Sequence, residues 1–164
     1  MSDELDLKKK IWYEYVDHDV IELLHESIHL LKSVARWDEK FHDYSFVVFP
    51  AAKAYEGFLK KLFFDLGFIS KQEYYYKYYR IGKALNPELE KRFRQKESVY
   101  DKLVMYCGGA ELADSLWATW KECRNTTFHW FPDEKTIISF DESKDSLLRI
   151  INSMDLAFRQ CKID

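Results

Sequence analysis

Arg124, Asn125 and His129 stand within six residues, RNTTFH, and their types and spacing suit one kind of chemistry. A guanidinium grips a phosphate through a planar fork of donors, and an imidazole moves a proton. Those are the groups a ribonuclease needs if it works without a metal. Such cleavage takes a base for the 2′-hydroxyl proton, an acid for the leaving 5′-oxygen, and positive donors around the phosphate. One arginine and one histidine fill half of that list. Two copies facing each other across a twofold axis would fill it, so the chemistry predicts an isologous homodimer. The plainer account is a helix end at which both cations interact with the terminal carbonyls, and it stays open.

Other residues are candidates to serve the same site. Glu56 falls among apolar neighbours, where a carboxylate wants a cationic partner, and Arg124 is the obvious one; an ordinary salt bridge fits equally well. The stretch KRFRQK, with Lys91, Arg92, Arg94 and Lys96, is the most basic in the chain and would make the best track for a phosphate backbone. It fits a solvated helix face as well. The run YYYKYYR, Tyr74 to Arg80, mixes flat rings with cations as base-stacking surfaces do, although rings packed in a helix or an interface are the blander account. A different chemistry is spelled by HESIH: His25, Glu26 and His29 have the H-E-x-x-H form of a zinc hydrolase. Lys32 and Ala35 stand where its extended form has glycine and histidine, and no strand pattern precedes it.

The elements that must position these residues read as helices. Val20, Leu23, Leu24, Ile28, Leu31 and Val34 recur at three and four, predicting a helix from Asp19 to about Trp37. A second is predicted from Ser45 to Leu66, with Pro50 early and Gly67 as its stop. Ser70 is a candidate N-cap for KQEYYYKYYRIGKAL, and Asn86-Pro87 breaks that segment and restarts a short charged helix, PELEKRFRQK. A short helix from Tyr100 to Tyr106 ends at Gly108-Gly109. The next, Glu111 to about Thr127, carries Arg124 to its C-terminal end. TIISF reads as a short extended piece, and a last helix runs from Glu142 to Lys162. The expected fold is an all-α bundle of about five or six helices, with residues 1–164 a single domain.

At 164 residues and 47% hydrophobic the chain can bury one sizeable core. A net charge of -3 excludes a generally basic coat for nucleic acid, so any RNA contact must come from a local patch. With no opening apolar run and no stretch of about 20 apolar residues, the chain is expected to be cytoplasmic, without a membrane partner. Three scattered cysteines, Cys107, Cys123 and Cys161, form no CxxC pair and are expected to be free thiols. There is no internal repeat and no low-complexity linker.

With AKAYEGFLKKLF and RNTTFHW, the chain resembles the HEPN superfamily, whose ribonucleases carry R-x4-6-H with a polar residue frequent after the arginine. The likeness is greatest to the HEPN domain of RnlA/LsoA-type toxins of toxin–antitoxin modules and spans roughly residues 43–158. Residues 1–164 are expected to be nearly all HEPN domain, without the additional N-terminal domains of those toxins. It also differs from HEPN toxins paired with nucleotidyltransferases, since Phe131 stands where those have tyrosine. The resemblance implies a metal-independent endoribonuclease, without a cofactor, acting as a toxin or antiphage effector under a cognate antitoxin protein. It also implies that Asp43 and Glu56 join Arg124 and His129 in the active site, with Asn125 orienting it. Two further readings stay open: a non-catalytic HEPN-like module that binds RNA or protein, and the zinc hydrolase.

Overall fold

The apolar spacing of the first and second predicted helices is that of two helices buried against each other. In the computed structural model, which describes residues 5–130, 132 and 137–161, α1 (His18–Val34) packs along α2 (Ser45–Asp65). α2 is apolar on most of its circumference and forms the centre: Val47, Val48, Ala51, Ala54, Tyr55, Phe58, Leu59 and Leu62 are fully enclosed. The long C-terminal helix, α8 (Phe140–Cys161), lies on α2 and on α7 (Glu111–Trp120). Among the described residues there is no strand, and the architecture is an all-α bundle.

Polar atoms inside the bundle are matched to one another. Pro50 removes a ladder bond within α2, and beside it the Ala51 N–H donates to Ser27 Oγ of α1 at 2.8 Å. The buried Tyr55 hydroxyl donates to Leu116 O at 3.2 Å and meets Ser153 Oγ at 2.9 Å, tying α2 to α7 and α8. Burial pushes that phenol well above the usual tyrosine range. Ahead of α1, a 3₁₀ turn (Leu7–Lys9) and the chain around it add Leu5, Leu7, Trp12 and Val16 to the core. The sequence pattern had not assigned this segment to it. Lys10 Nζ bonds Asp155 of α8 at 2.9 Å.

The stops at Gly67 and Gly108 are where the pattern places them, both at φ 71, a conformation that glycine adopts without a Cβ penalty. The predicted helix after Ser70 is different. It forms only α3 (Lys71–Tyr75) and α4 (Ile81–Ala84), with residues 76–80 irregular between them. Tyr74 and Tyr79 both pack against the core. Five residues rotate an α-helix by about 140° past a full turn, so one helix cannot turn both rings inward. The unwound chain does so, and Lys60 Nζ reaches the released Tyr76 O at 3.3 Å. The charged helix restarts later than Pro87, as α5 (Lys91–Glu97), because Asn86 Oδ1 holds the Glu88 N–H in a turn at 2.9 Å. α6 (Val99–Cys107) follows at once, capped by Ser98. Ile137, Ile138 and Ser139 belong to no strand or helix, with Ile138 O accepting from Tyr44 N at 3.0 Å. Thr136, Lys162 and Phe131 lie outside the described residues.

Ser70 is the N-cap of α3. Its hydroxyl accepts from Glu73 N while the Glu73 carboxylate accepts from Ser70 N at 2.8 Å, a complete capping box. The Ser70 N–H foremost holds the Glu73 carboxyl below its usual range. That share of stability is present at neutral pH and is lost as pH falls through the lowered value. Ser70→Ala is expected to cost about 1 kcal/mol, read as a lower urea midpoint with unchanged slope; an unmoved midpoint would mean that α3 frays before the bundle unfolds.

Candidate active site

α7 does not continue as an α-helix to Thr127. At Lys121 it widens into a π-helical segment, Lys121–Thr126, and two threonines account for the widening. Thr126 Oγ1 donates to Lys121 O at 3.0 Å and Thr127 Oγ1 to Glu122 O at 2.8 Å, each reaching back five residues rather than four. Threonine hydroxyls that return to the backbone compete with the regular ladder, and π-helical turns concentrate at functional sites. Cys123 faces the core, where burial raises its thiol to about 11. Arg124, Asn125 and His129 all line one surface cleft of about 650 Å³.

The rest of the cleft comes from α2, through Glu56 and Lys60, and from Lys77 and residues 79–83. Its lining carries five cationic side chains, Lys60, Lys77, Arg80, Lys83 and Arg124, against the single carboxylate of Glu56. On a protein of net charge -3 this is a local concentration of positive charge. Burial pulls the Lys60 ammonium below its usual range, with Glu56 acting in the other direction.

Arg124 is held from two sides. Its Nε lies 3.1 Å from Glu56 Oε1, and the guanidinium sits over the Trp120 ring at 5.6 Å. Trp120 Nε1 donates to the same Glu56 oxygen at 3.2 Å, and its ring stacks on Trp117 with centroids 5.5 Å apart. Both charged partners are about one-third exposed, so the pair adds only a little stability, about 0–1 kcal/mol. Its consequence is aim. Nε–H is used by Glu56, and the two Nη nitrogens carry the other four N–H groups of the fork.

The remaining candidates distribute unevenly. Asp43 does not line this cleft. It lies two residues ahead of α2, whose first residue is about 16 Å of helix from Glu56, and it ties down the entry to the helix: Oδ1 accepts from Ser45 N at 3.2 Å and from Ile138 N at 3.1 Å. Arg94 is bound by Asp101 and by Pro87 O, and Arg92 by Glu90 at 2.8 Å, so both are already partnered. Lys91 is exposed, and Lys96 lines a neighbouring cleft. His25, Glu26 and His29 lie on the exposed face of α1, and among the described residues no three His, Cys, Asp or Glu side chains come together as a metal site. No described helix is long and apolar enough to cross a membrane.

Trp120, Lys60, Gly82 and Lys83 had not been singled out as site residues. Lys77 and Arg80 belong to the tyrosine-rich run, whose mixture of rings and cations was the available signal. No protein-family model matches the chain, and no curated protein or solved structure matches it either.

Proposed function

We propose that the protein is a metal-independent endoribonuclease of the HEPN type, a toxin or antiphage effector held in check by a cognate antitoxin protein. The observation carrying this reading is the convergence of Arg124, Asn125 and His129 on a single cationic cleft, with Arg124 aimed by Glu56 and Trp120. A phosphodiester in the cleft accepts hydrogen bonds from the Arg124 Nη groups. One histidine takes the proton of the 2′-hydroxyl, whose oxygen attacks phosphorus. The 5′-oxygen leaves with a proton from a second acid, giving a 2′,3′-cyclic phosphate and a 5′-hydroxyl end.

His129 of one protomer supplies one of these proton carriers, and a second copy supplies the other. The exposed rings of Phe49 and Trp130 beside the site support such pairing, with Phe49 edge-on to Phe128 at 5.3 Å. Asn125 orients the cleft, and Asp43 acts indirectly, by fixing the start of the helix that carries Glu56.

The test is cleavage of total RNA in EDTA by the purified protein and by His129→Ala, with oligomeric state measured on the same samples. The expected result is a dimer that leaves 2′,3′-cyclic phosphate ends and a variant slowed about a thousandfold. A monomer that cuts nothing, or equal cutting by both proteins, would shift the reading to a non-catalytic binding module.

A further inference from the structure

A second cleft, of about 410 Å³, adjoins the first and shares Tyr79, Arg80 and Lys83 with it. Tyr76, Tyr78 and Lys96 complete its aromatic and cationic lining. Tyr76 is 54% and Tyr78 63% exposed, their rings 5.5 Å apart and nearly perpendicular. Side by side, the two rings present an aromatic face that a flat ligand could cover. Their placement is built rather than incidental: the chain unwinds at residues 76–80, Tyr79 packs inward as the anchor, and Lys60 holds the Tyr76 carbonyl.

The charges say what would cover them. Of the two carboxylates in this lining, Glu97 is paired with Lys83, and Glu73 is engaged in the Ser70 capping box. Arg80 and Lys96 are the cations of this lining beyond those pairs, and Lys77, which lines the first cleft, has its Nζ over the Tyr78 ring at 4.8 Å. Cations spaced along a groove suit a phosphate backbone, and outward rings suit unpaired bases, which present their π-faces. A duplex keeps its bases stacked inside and offers no such face.

We infer that Tyr76 and Tyr78, with Lys77 and Arg80, form a stacking subsite that receives the unpaired bases of a single strand beside the scissile phosphate and leads that strand into the Arg124–His129 cleft. The inference rests on the nuclease reading for the identity of the strand, but its binding is measurable without cleavage.

The experiment is fluorescence anisotropy with a labelled oligothymidylate of about 12 nucleotides, which has no 2′-hydroxyl to attack. Wild type is expected to bind it and to bind the matching duplex at least tenfold more weakly. Tyr76→Ala/Tyr78→Ala is expected to weaken single-strand binding about tenfold or more, and Tyr76→Phe/Tyr78→Phe to keep it. Lys77→Ala/Arg80→Ala should lower the slope of log affinity against log salt by about 1.4. The rings are exposed, so unchanged melting of these variants is part of the expected result. Equal binding of duplex, indifference to the tyrosines, or equally tight binding of polyglutamate, as in an acidic-peptide dock, would each overturn the subsite. RNA cutting without oligothymidylate binding would overturn it while sparing the nuclease; tyrosine-dependent binding by a protein that cuts nothing would retain the subsite and sink the nuclease.

Discussion

Arg124→Lys is expected to slow RNA cleavage about a hundredfold to a thousandfold while leaving the melting temperature within a few degrees of wild type. The charge survives the change, so a site that needed only a positive potential would barely notice it. The fork does not survive. Lysine presents a single ammonium on a flexible stem, whereas the arginine gives Nε–H to Glu56 and lays its plane over Trp120. With Nε engaged by Glu56, the Nη donors of this cleft-lining arginine are the ones left for a phosphate. Because the Glu56 pair is one-third exposed, losing it has little effect on the fold. Kinetics of a defined RNA substrate, set beside a melting curve, separate the two effects. Full activity in the lysine variant would show that Arg124 contributes charge alone, and the phosphate contact would then have to be sought among Lys60, Lys77 and Arg80.

How much of this was legible in the chain depends on which interaction decides each residue's place. α1, α2 and α8 are decided by burial at three and four, so their apolar positions carry them. Glu56 was legible as a carboxylate in need of a cation, and Arg124 is the cation it meets. The widened turn at Lys121–Thr126 was not, since two threonine hydroxyls reaching back five residues leave no periodic trace. Residues 76–80 were misjudged as helix because tyrosines at nearly every position hide which rings turn inward. KRFRQK attracts notice as a dense basic run, yet Asp101 from the next helix and the neighbouring Glu90 engage two of its arginines. The positive lining of the cleft is assembled instead from Lys60 on α2, from Lys77, Arg80 and the Glu97-paired Lys83 in the segment that follows α3, and from Arg124, stretches that only the fold brings together. Asp43 entered only through resemblance, and its position at the head of a 21-residue helix puts it out of reach of a site at that helix's middle.

The site also hangs on one close approach, and Gly82→Ala is expected to expose it. A Cβ at residue 82 would lie 2.1 Å from Trp120 Cη2 and 2.3 Å from Cζ2, with Cζ3 at 2.6 Å. These are atoms of a rigid ring that is 9% exposed, stacked on Trp117 and bonded to Glu56, so it cannot swing aside cheaply. Overpacking of this kind costs about 1–3 kcal/mol. For a domain of this size that is a fall of about 4–8 °C in melting temperature for a central value of about 2 kcal/mol. Helix propensity pulls the other way, since alanine is the better helix former by about 1 kcal/mol, but contacts this short outweigh it. Displacing the indole takes Nε1 from Glu56 and the ring from beneath Arg124, so RNA cleavage should fall along with stability. Trp120→Phe supplies the decisive comparison: it removes the outer ring atoms that the new methyl would strike. In the double variant the clash is gone, and its destabilisation should be smaller than the sum of the two single changes. Cleavage should remain low, because phenylalanine has no N–H to offer Glu56. Recovery of stability without recovery of activity would establish that Gly82 serves the fold by admitting Trp120, and that Trp120 serves the site by holding Glu56. Strict additivity would mean instead that α4 moves away from the ring, and that the aim of Arg124 does not depend on the contact between residues 82 and 120.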